Sequence, residues 1–277
     1  MEILPQVVEA LRGKKIPIVA NYGSSAPLSP RILSSITANS PSAFVSISEG
    51  GATLLRSQLS KIQKPRIVVI RQSTDLITSL TEDKRIDAIT REEPFILLLA
   101  TFRTYKGIGH FCRAVETTPR APRAIVVGRY YPIQIQRLCT ELDIIPKRTP
   151  DGLRVGRTLF AGPSQFAGSW SLRATVSVSA SVEYEGIPGS LREAMLAGAP
   201  VVGTDIGYVR ELVKPEWNGL LVPAGNARAL SQAIIRLTES STLAARLVPR
   251  AKTYVRLFFN NTQRTRRHLE LYSELGV

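Results

Sequence analysis

Short apolar runs alternate with longer amphipathic segments along most of the chain. In the first third, residues 16–20, 43–48 and 66–70 are rich in β-branched side chains, which predicts three strands. Amphipathic segments separate these runs, and the alternation is typical of βαβ units, in which helices cover a parallel sheet. Three strands are fewer than an independent nucleotide-binding domain contains, so this part predicts a partial α/β domain.

The same alternation begins again after a polar, acidic segment. Six further strands are predicted over residues 95–100, 123–128, 157–162, 174–180, 200–204 and 219–223. Ala229, Leu230, Ala233, Ile234 and Leu237 share one face of a predicted helix. This second part therefore predicts a complete doubly wound parallel sheet of the Rossmann type.

These patterns divide the chain into four parts. We expect a partial N-terminal α/β domain over residues 1–75, a linker over 76–92 and a Rossmann-like domain over 93–255. Residues 256–277 are predicted to form a terminal helix.

Composition limits the class of protein. Hydrophobic residues make up 44% of the 277 positions and charged residues 21%, which is normal for a folded, soluble chain. Two cysteines and two histidines are too few for a disulfide framework or a zinc site, so a cytoplasmic location is expected. The longest apolar run, residues 95–100, is too short to cross a bilayer, and the N-terminus lacks the order of a signal peptide.

The formal net charge of +14 widens the range of partners to phosphorylated small molecules, anionic lipid and nucleic acid. Cations crowd the end of the chain: Arg246, Arg250, Lys252, Arg256, Arg264, Arg266 and Arg267. No zinc-finger, RNP or homeodomain pattern supports base reading, so nucleic acid is not an expected partner. A solvated basic surface and a surface for phosphate or membrane both stay open.

Two glutamates flank a glycine-rich turn in the segment YEGIPGSLREAMLAGAPVVGTDIGYVRELV, residues 184–213. Glu185 and Glu193 are eight positions apart, and a predicted helix follows the turn. Glycines let a ligand approach the backbone, and the first amides of a helix attract phosphate. The turn follows a predicted strand, so it lies at the sheet edge where open α/β folds bind ligands. Carboxylates there suit hydroxyl groups of a ribose or sugar attached to the phosphate.

Glu193 has a second interpretation. Ser190 and Glu193 fit a capping box, in which Ser190 is the N-cap and Glu193 folds back onto it. In that case Glu193 only stabilises the helix.

The segment closely resembles the signature of the family 4 retaining glycosyltransferases, which have the GT-B fold. The matching positions are Glu185, Glu193, Ala194, Met195, Gly198, Pro200, Val201, Val202, Gly207, Glu211, Leu212 and residues 219–223. The resemblance implies an enzyme that moves a sugar from a nucleotide-diphosphate donor with retention of configuration. It also implies a GT-B-like α/β fold, with a complete donor domain, a partial acceptor domain and a terminal helix that crosses back to the latter.

The resemblance also implies roles for individual residues. Glu185 would contact hydroxyls of the donor sugar, Glu193 would bind the ribose, and Lys106 would neutralise the leaving diphosphate, although an ordinary lysine at a helix start is the alternative. The sugar and diphosphate would be lined by the backbone of the turn and the helix start, at Gly186, Ile187, Pro188, Gly189, Ser190 and Leu191. Loops near Gly128 and Gly162 are expected to influence the choice of base and sugar. Neither a metal ion nor another cofactor is expected, because basic side chains and a helix N-terminus take their place.

Two departures from the family pattern qualify these roles. Ala100 and Thr101 replace the Gly-Arg pair that normally precedes the lysine, and Arg103 is the alternative phosphate contact. The acceptor part is shorter than in the family, and Asn21 and Tyr22 stand where a histidine often follows a strand.

Two hypotheses therefore stay open. The first is a retaining glycosyltransferase with a saccharide or lipid-linked acceptor, cytoplasmic or peripheral at an anionic membrane. The second is a catalytically impaired homologue or subunit, which binds nucleotide-sugar or a partner chain that supplies the remaining acceptor half.

Overall fold

The computed structural model describes Gln6, Ala10 and residues 17–38, 41–60, 66–74, 84–90 and 93–276. Within these ranges the chain forms one sheet of three strands and one sheet of eight strands. The predicted α/β class is confirmed. Residues 76–83 and 91–92 of the predicted linker lie outside the described residues, as does most of the segment before residue 17.

The first sheet consists of β1 Val19–Tyr22, β2 Ala43–Ser46 and β3 Ile67–Val69, which are parallel and lie in that order. Strand β1 includes Asn21 and Tyr22, which the sequence analysis placed just beyond it. The reason is its register, because Asn21 pairs with Val45 and Tyr22 with Ser46 of the buried strand β2.

Two helices, α1 Pro30–Ala38 and α2 Glu49–Leu59, follow the first two strands. Their apolar faces pack on one side of the sheet around a small core. The buried residues of this core are Ala20, Tyr22, Leu28, Ile36, Phe44, Leu55 and Leu59.

The second sheet has the strand order β11-β10-β9-β4-β5-β8-β7-β6. Its strands are β4 Phe95–Leu99, β5 Arg123–Val127, β6 Lys147–Thr149, β7 Gly152–Val155, β8 Thr158–Gly162, β9 Val176–Ser179, β10 Val201–Thr204 and β11 Leu220–Val222. The six strands predicted from the sequence are confirmed, and they are parallel to one another.

The hairpin formed by β6 and β7 was not predicted from the sequence. Strand β7 runs antiparallel to both β6 and β8, so this edge of the sheet is not parallel as expected. The strands are short and carry few apolar residues, whereas the Pro150-Asp151-Gly152 sequence between them is a recognisable turn signal. A groove of about 930 Å³ lies between this hairpin and helix α5, Pro132–Leu142.

Helices cover both faces of the second sheet. Besides α5 they are α3 Lys84–Thr90, α4 Ile108–Glu116, α6 Ala167–Arg173, α7 Gly189–Ala197, α8 Val209–Leu212, α9 Ala227–Glu239 and α10 Ser241–Phe258. One core lies under α4, α5 and α9, and the other lies under α3, α6 and α7. The predicted apolar face of α9 is confirmed, since Leu230, Ala233, Ile234 and Leu237 are buried.

The last helix, α11 Asn261–Glu274, packs against the first sheet rather than the second. Its Leu271 is buried with Ala43, Val45 and Ile70. We call the part built on the first sheet the first unit and the part built on the second sheet the second unit. The chain passes from one unit to the other twice. The two passages lie side by side, as a hydrogen bond from Thr74 N to Phe259 O at 3.0 Å indicates.

Arg157, one of the cations in the middle of the chain, holds the end of α4. Its guanidinium donates to the carbonyl oxygens of Val115, Thr118 and Ala121, which follow or end that helix. Backbone amides of Thr118 and Ala121 also donate to the carbonyls of Val115 and Thr118, and Arg157 adds a charged donor to this turn, so it acts as a cap rather than as a free surface charge.

We expect Arg157→Ala to lower the free energy of unfolding by about 1–3 kcal/mol, because three carbonyls lose a charged donor. Urea unfolding measures this change. The matched control is Arg154→Ala, since no described residue accepts a hydrogen bond from the Arg154 side chain, and its effect should stay within about 0.5 kcal/mol. Equal losses in the two variants would show that Arg157 is not a cap.

Candidate functional site

The strand order creates a crevice between β4 and β9. After β4 the chain continues to β5 and β8 on one side, and then to β9, β10 and β11 on the other. The loops after β4 and β9 therefore diverge, and open α/β sheets bind ligands outside the carboxyl ends of strands at such a switch point. Lys106 follows β4 and Glu185 follows β9, so both lie at this place.

Lys106 and Glu185 form an ion pair across the crevice. Lys106 Nζ lies 2.7 Å from Glu185 Oε2, and Ser181 Oγ donates to the same oxygen. The Glu185 side chain is only 10% exposed, so the ammonium and hydroxyl groups compensate for its loss of hydration. Sequence reasoning gave Lys106 and Glu185 separate roles and predicted neither this contact nor Ser181.

Close backbone contacts hold the two loops together. Gly107 has φ +64°, and a Cβ atom there would lie 1.8 Å from the carbonyl oxygen of Ala180. Val182 N donates to Tyr105 O at 2.7 Å. Position 107 therefore requires glycine for both its conformation and its packing, and this glycine directly follows Lys106.

The backbone of Glu185 is fixed from a third direction. Gly207, after β10, has φ +51°, and a Cβ atom there would lie 1.8 Å from the carbonyl oxygen of Glu185. Tyr208 N donates to that oxygen at 3.2 Å. Tyr184, just before Glu185, has φ +47°, a left-handed conformation that costs of order 1–3 kcal/mol and that clusters at functional sites.

The glycine-rich turn lies between the two units. A Cβ atom on Gly186 would lie 2.8 Å from the carbonyl oxygen of Gly23 and 3.4 Å from Ile47 Cδ1. Gly23 follows β1 and Ile47 follows β2, so the carboxyl ends of strands from both sheets face each other here.

Helix α7 begins at Gly189, which corrects the predicted capping box. Its N-cap is Pro188, and no side chain caps the helix. Pro188 supplies the extended residue before the helix, which places Ser190 inside the first turn, where its hydroxyl cannot act as an N-cap. The first amides, at Gly189, Ser190 and Leu191, therefore form an anion-attracting helix end without a side-chain cap.

Glu193 lies on the first turns of the same helix. Burial raises the pKa of its carboxyl group above the usual value, and the nearby Arg192 charge partly opposes this shift. No residue in the described ranges donates a hydrogen bond to the Glu193 carboxylate. It is thus a partly buried acceptor beside the helix N-terminus.

Arg192 is a buried residue that sequence reasoning missed. Its Nη1 donates to Gln72 O at 2.7 Å and its Nη2 to Gln72 Oε1 at 3.1 Å. The guanidinium carbon lies 5.8 Å from the ring centre of Phe259, and burial lowers the pKa of Arg192 to about 10. Arg192 therefore connects α7 to both passages between the units, since Gln72 belongs to one and Phe259 to the other. Arginine is seldom fully buried, so nothing in the local sequence predicted the burial of Arg192.

Gly128, Gly162 and Arg103 surround the loop after β4. A Cβ atom on Gly128 would lie 2.0 Å from the carbonyl oxygen of Ala100, whereas one on Gly162 would meet nothing within 4 Å. Gly128 N donates to Gly162 O at 3.0 Å. Arg103 is exposed, and its guanidinium pairs with no side chain in the part of the chain that the structure describes.

The positive groups near the crevice are the Lys106 ammonium, the Arg103 guanidinium and the amides of α7. Across the described residues, His, Cys, Asp and Glu side chains form no group of three or more that could hold a metal ion.

Comparison with known proteins identifies the family. A model described as glycosyl transferases group 1 matches residues 93–240, which is more than half of the chain. The amylovoran biosynthesis glycosyltransferase AmsK of Erwinia amylovora is 33% identical over 94 residues, which cover 34% of this chain and 23% of that protein. The phosphatidyl-myo-inositol mannosyltransferase of Mycobacterium leprae is 38% identical over 68 residues, covering 24% of this chain and 18% of that one. The matched segments thus span less than a quarter of these relatives.

Solved structures match nearly the whole chain. HepE from Anabaena, in complex with UDP, superposes with a TM-score of 0.78 at 19% identity and covers 99% of this chain and 76% of that one. The sucrose-phosphate synthase of Thermosynechococcus elongatus has a TM-score of 0.77 at 22% identity, covering 98% and 71%. The chain belongs to the family of group 1 glycosyl transferases and has a GT-B-like fold.

Proposed function

We propose that the chain acts in the transfer of a sugar from a nucleoside diphosphate donor to an acceptor, with retention of configuration and without a metal ion. The observation that carries this proposal is the meeting of Lys106, Glu185 and the N-terminus of α7 at the switch point between β4 and β9. Family membership over residues 93–240 supports it, and so does the fold shared with the UDP complex of HepE. Retention rests on the resemblance of the two-glutamate motif alone.

The donor diphosphate would bind at the positive end of α7. The amides of Gly189, Ser190 and Leu191 would supply donors there, and Lys106 and Arg103 would supply positive charge. When the bond between the sugar and the diphosphate breaks, negative charge grows on the diphosphate. Groups that are already oriented toward this charge stabilise the transition state more than the ground state.

The two glutamates would hold the hydroxyl groups of the donor. One oxygen of Glu185 accepts from Lys106 and Ser181, which leaves the other oxygen for hydroxyls of the sugar. Glu193 would accept from the ribose, because it is an acceptor without a described hydrogen-bond donor and lies beside the phosphate-binding helix end.

A second candidate function is donor binding without transfer by the chain itself. The observation that favours it is at the end of β1, where Tyr22 is buried and its hydroxyl donates to Ala26 O. The Tyr22 hydroxyl is protonated at neutral pH, and burial raises its pKa further, to about 12, so it cannot take up a proton there as a neutral histidine could. In this alternative a partner chain would complete the acceptor side. The acceptor is a saccharide or a lipid-linked molecule in either case.

A panel of UDP-, GDP- and ADP-sugars tests the proposal. At about 100 times its dissociation constant, the correct donor should add about 2.7 kcal/mol to the free energy of unfolding, measured by thermal shift or denaturant titration. Stabilisation by none of the panel would contradict donor binding. Release of nucleoside diphosphate on addition of acceptor separates the first candidate from the second.

The variant Glu193→Gln should change stability and affinity in opposite directions. The pKa of Glu193 is higher in the folded protein than in the unfolded chain. Above the folded pKa, the ionised carboxylate therefore lowers the free energy of unfolding. This loss of stability disappears when the pH falls below the unfolded pKa, because the group is then protonated in both states. Removal of the charge should therefore raise the free energy of unfolding at neutral pH. Affinity for the nucleotide should fall about ten- to a hundredfold, since a hydrogen bond to a charged acceptor contributes about 1.5–3 kcal/mol.

The control for this pair of measurements is Glu239→Gln, the same change at an exposed position at the end of α9. It should alter neither the free energy of unfolding nor the affinity for the nucleotide. Unchanged affinity in Glu193→Gln would remove the ribose role, and a loss of stability with unchanged affinity would show that Glu193 has a purely structural role.

We also propose peripheral docking at an anionic membrane through the basic end of the chain. If the cations served only as a solvated surface, Leu257, Phe258 and Leu269 should pack inward; they are instead 55%, 46% and 61% exposed. Leu257 and Phe258 directly follow Arg256 at the end of α10. None of the helices in the described ranges has the length and apolar character needed to cross a membrane.

Docking predicts flotation with anionic vesicles that weakens as salt is added, because each cation near the bilayer contributes about 1 kcal/mol within a Debye length. Replacing Leu257 and Phe258 together with Gln should reduce flotation. The control is Ile145→Gln, at an exposed apolar residue in the groove beside α5. Failure of the folded parent to float at low salt would contradict docking.

A further inference from the structure

The carboxylate of Glu211 connects the two units. Glu211 Oε2 accepts a hydrogen bond from Glu49 N at 3.0 Å, and Oε1 accepts one from Gly50 N at 2.8 Å. Both amides belong to the first turn of α2. Ser48, the N-cap of α2, accepts from the next amide, that of Gly51, at 3.0 Å. A residue of the second unit thus caps a helix of the first, across 162 positions of sequence.

Glu211 has no comparable role within its own unit. In the part of the chain that the structure describes, its carboxylate accepts hydrogen bonds from Glu49 N and Gly50 N alone, and the one cation within ion-pair distance is Arg71, whose guanidinium is 3.9 Å from Oε2. Glu49 and Gly50 belong to α2, and Arg71 follows β3, so all three lie on the side of the first sheet. Its main chain, by contrast, is held by its own unit, because Tyr254 donates to Glu211 O at 2.8 Å.

The same segment also touches the donor turn. Tyr208 N donates to the carbonyl oxygen of Glu185, while its ring packs against α2, so that a Cβ atom on Gly50 would lie 2.4 Å from Tyr208 Cδ1. Residues 207–211 therefore contact the glycine-rich turn on one side and the start of α2 on the other. Movement of α2 away from Glu211 would change the distance from the first sheet to Glu185.

The energetics favour a specific contact over an incidental one. A carboxylate at a helix N-terminus stabilises the helix through its unpaired amides and its dipole, and more strongly when it is partly buried. Glu211 meets that condition, because its side chain is 20% exposed and the nearby Arg71 adds positive charge. The sequence motif at residues 207–212 included Glu211 without giving it a function.

We infer that Glu211 is a positioning residue, which sets the distance between the first sheet and the donor turn by capping α2. The inference rests on the proposed function and adds to it that the acceptor reacts beside the turn, where the first sheet meets it: a Cβ atom on Gly186 would lie against Gly23 and Ile47. Donor binding uses groups of the second unit, so it does not require this cap. Loss of the cap should lower the rate of transfer and leave donor affinity unchanged.

The first experiment measures hydrogen exchange at the start of α2 in Glu211→Ala, Glu211→Gln and the control Glu239→Ala. The Glu49 and Gly50 amides should exchange about tenfold faster in Glu211→Ala, since a loss of about 1.4 kcal/mol is tenfold in an opening equilibrium. Glu211→Gln keeps an oxygen acceptor and should lie between parent and Ala variant. The Glu239→Ala variant should match the parent. Unchanged exchange in a folded Glu211→Ala protein overturns the inference, whether or not the chain binds a nucleotide.

The second experiment compares kcat for transfer with the dissociation constant of the donor in the same variants. We expect at least a tenfold fall in kcat for Glu211→Ala, partial recovery in Glu211→Gln and a donor dissociation constant within twofold of the parent. An equal loss of donor affinity and kcat overturns the inference. If Glu211→Ala exchanges faster than the parent at α2 but the parent binds no donor, the proposed function is removed and the cap itself stays supported. If Glu211→Ala does not fold, the Glu211→Gln comparison decides.

Discussion

The ion pair between Lys106 and Glu185 is the interaction on which the rest of the site depends. It joins the loops after β4 and β9, strands that are neighbours in the sheet although their loops diverge. Burial of a carboxylate is unfavourable without compensation, and Lys106 and Ser181 provide it. Gly107 and Gly207 let the surrounding backbones approach closely enough for this contact to form. The pair therefore places the Lys106 ammonium next to the glycine-rich turn that leads into α7.

Two further contacts relate that turn to the first sheet. Arg192 anchors α7 at the double passage between the units, where Gln72 and Phe259 receive its guanidinium. Glu211 caps α2 through the amides of Glu49 and Gly50. Buried charges of this kind stabilise a fold weakly, but they specify one arrangement, because separation leaves a charge unpaired or a helix end uncapped. A transfer reaction needs such an arrangement, since donor and acceptor must meet with the correct orientation.

Periodic and local features of the site could be predicted from the sequence, and long-range contacts could not. The alternation of apolar runs predicted the parallel strands, and the glutamate motif drew attention to the turn at residues 184–193. The capping box was wrong because Pro188, not Ser190, sets the start of α7. The contact of Lys106 with Glu185 spans 79 positions and that of Arg192 with Gln72 spans 120, so neither has a local pattern. The assignments of donor groups to individual residues remain predictions.

A crystal structure of the chain with a bound nucleoside diphosphate tests the central claim most directly. The account predicts the terminal phosphate within about 3 Å of the amide nitrogens at residues 189–191, a normal hydrogen-bond distance. It also predicts Lys106 Nζ in contact with the same diphosphate and Glu193 in contact with the ribose. A nucleotide bound elsewhere, such as in the groove between α5 and the β6–β7 hairpin, would contradict it.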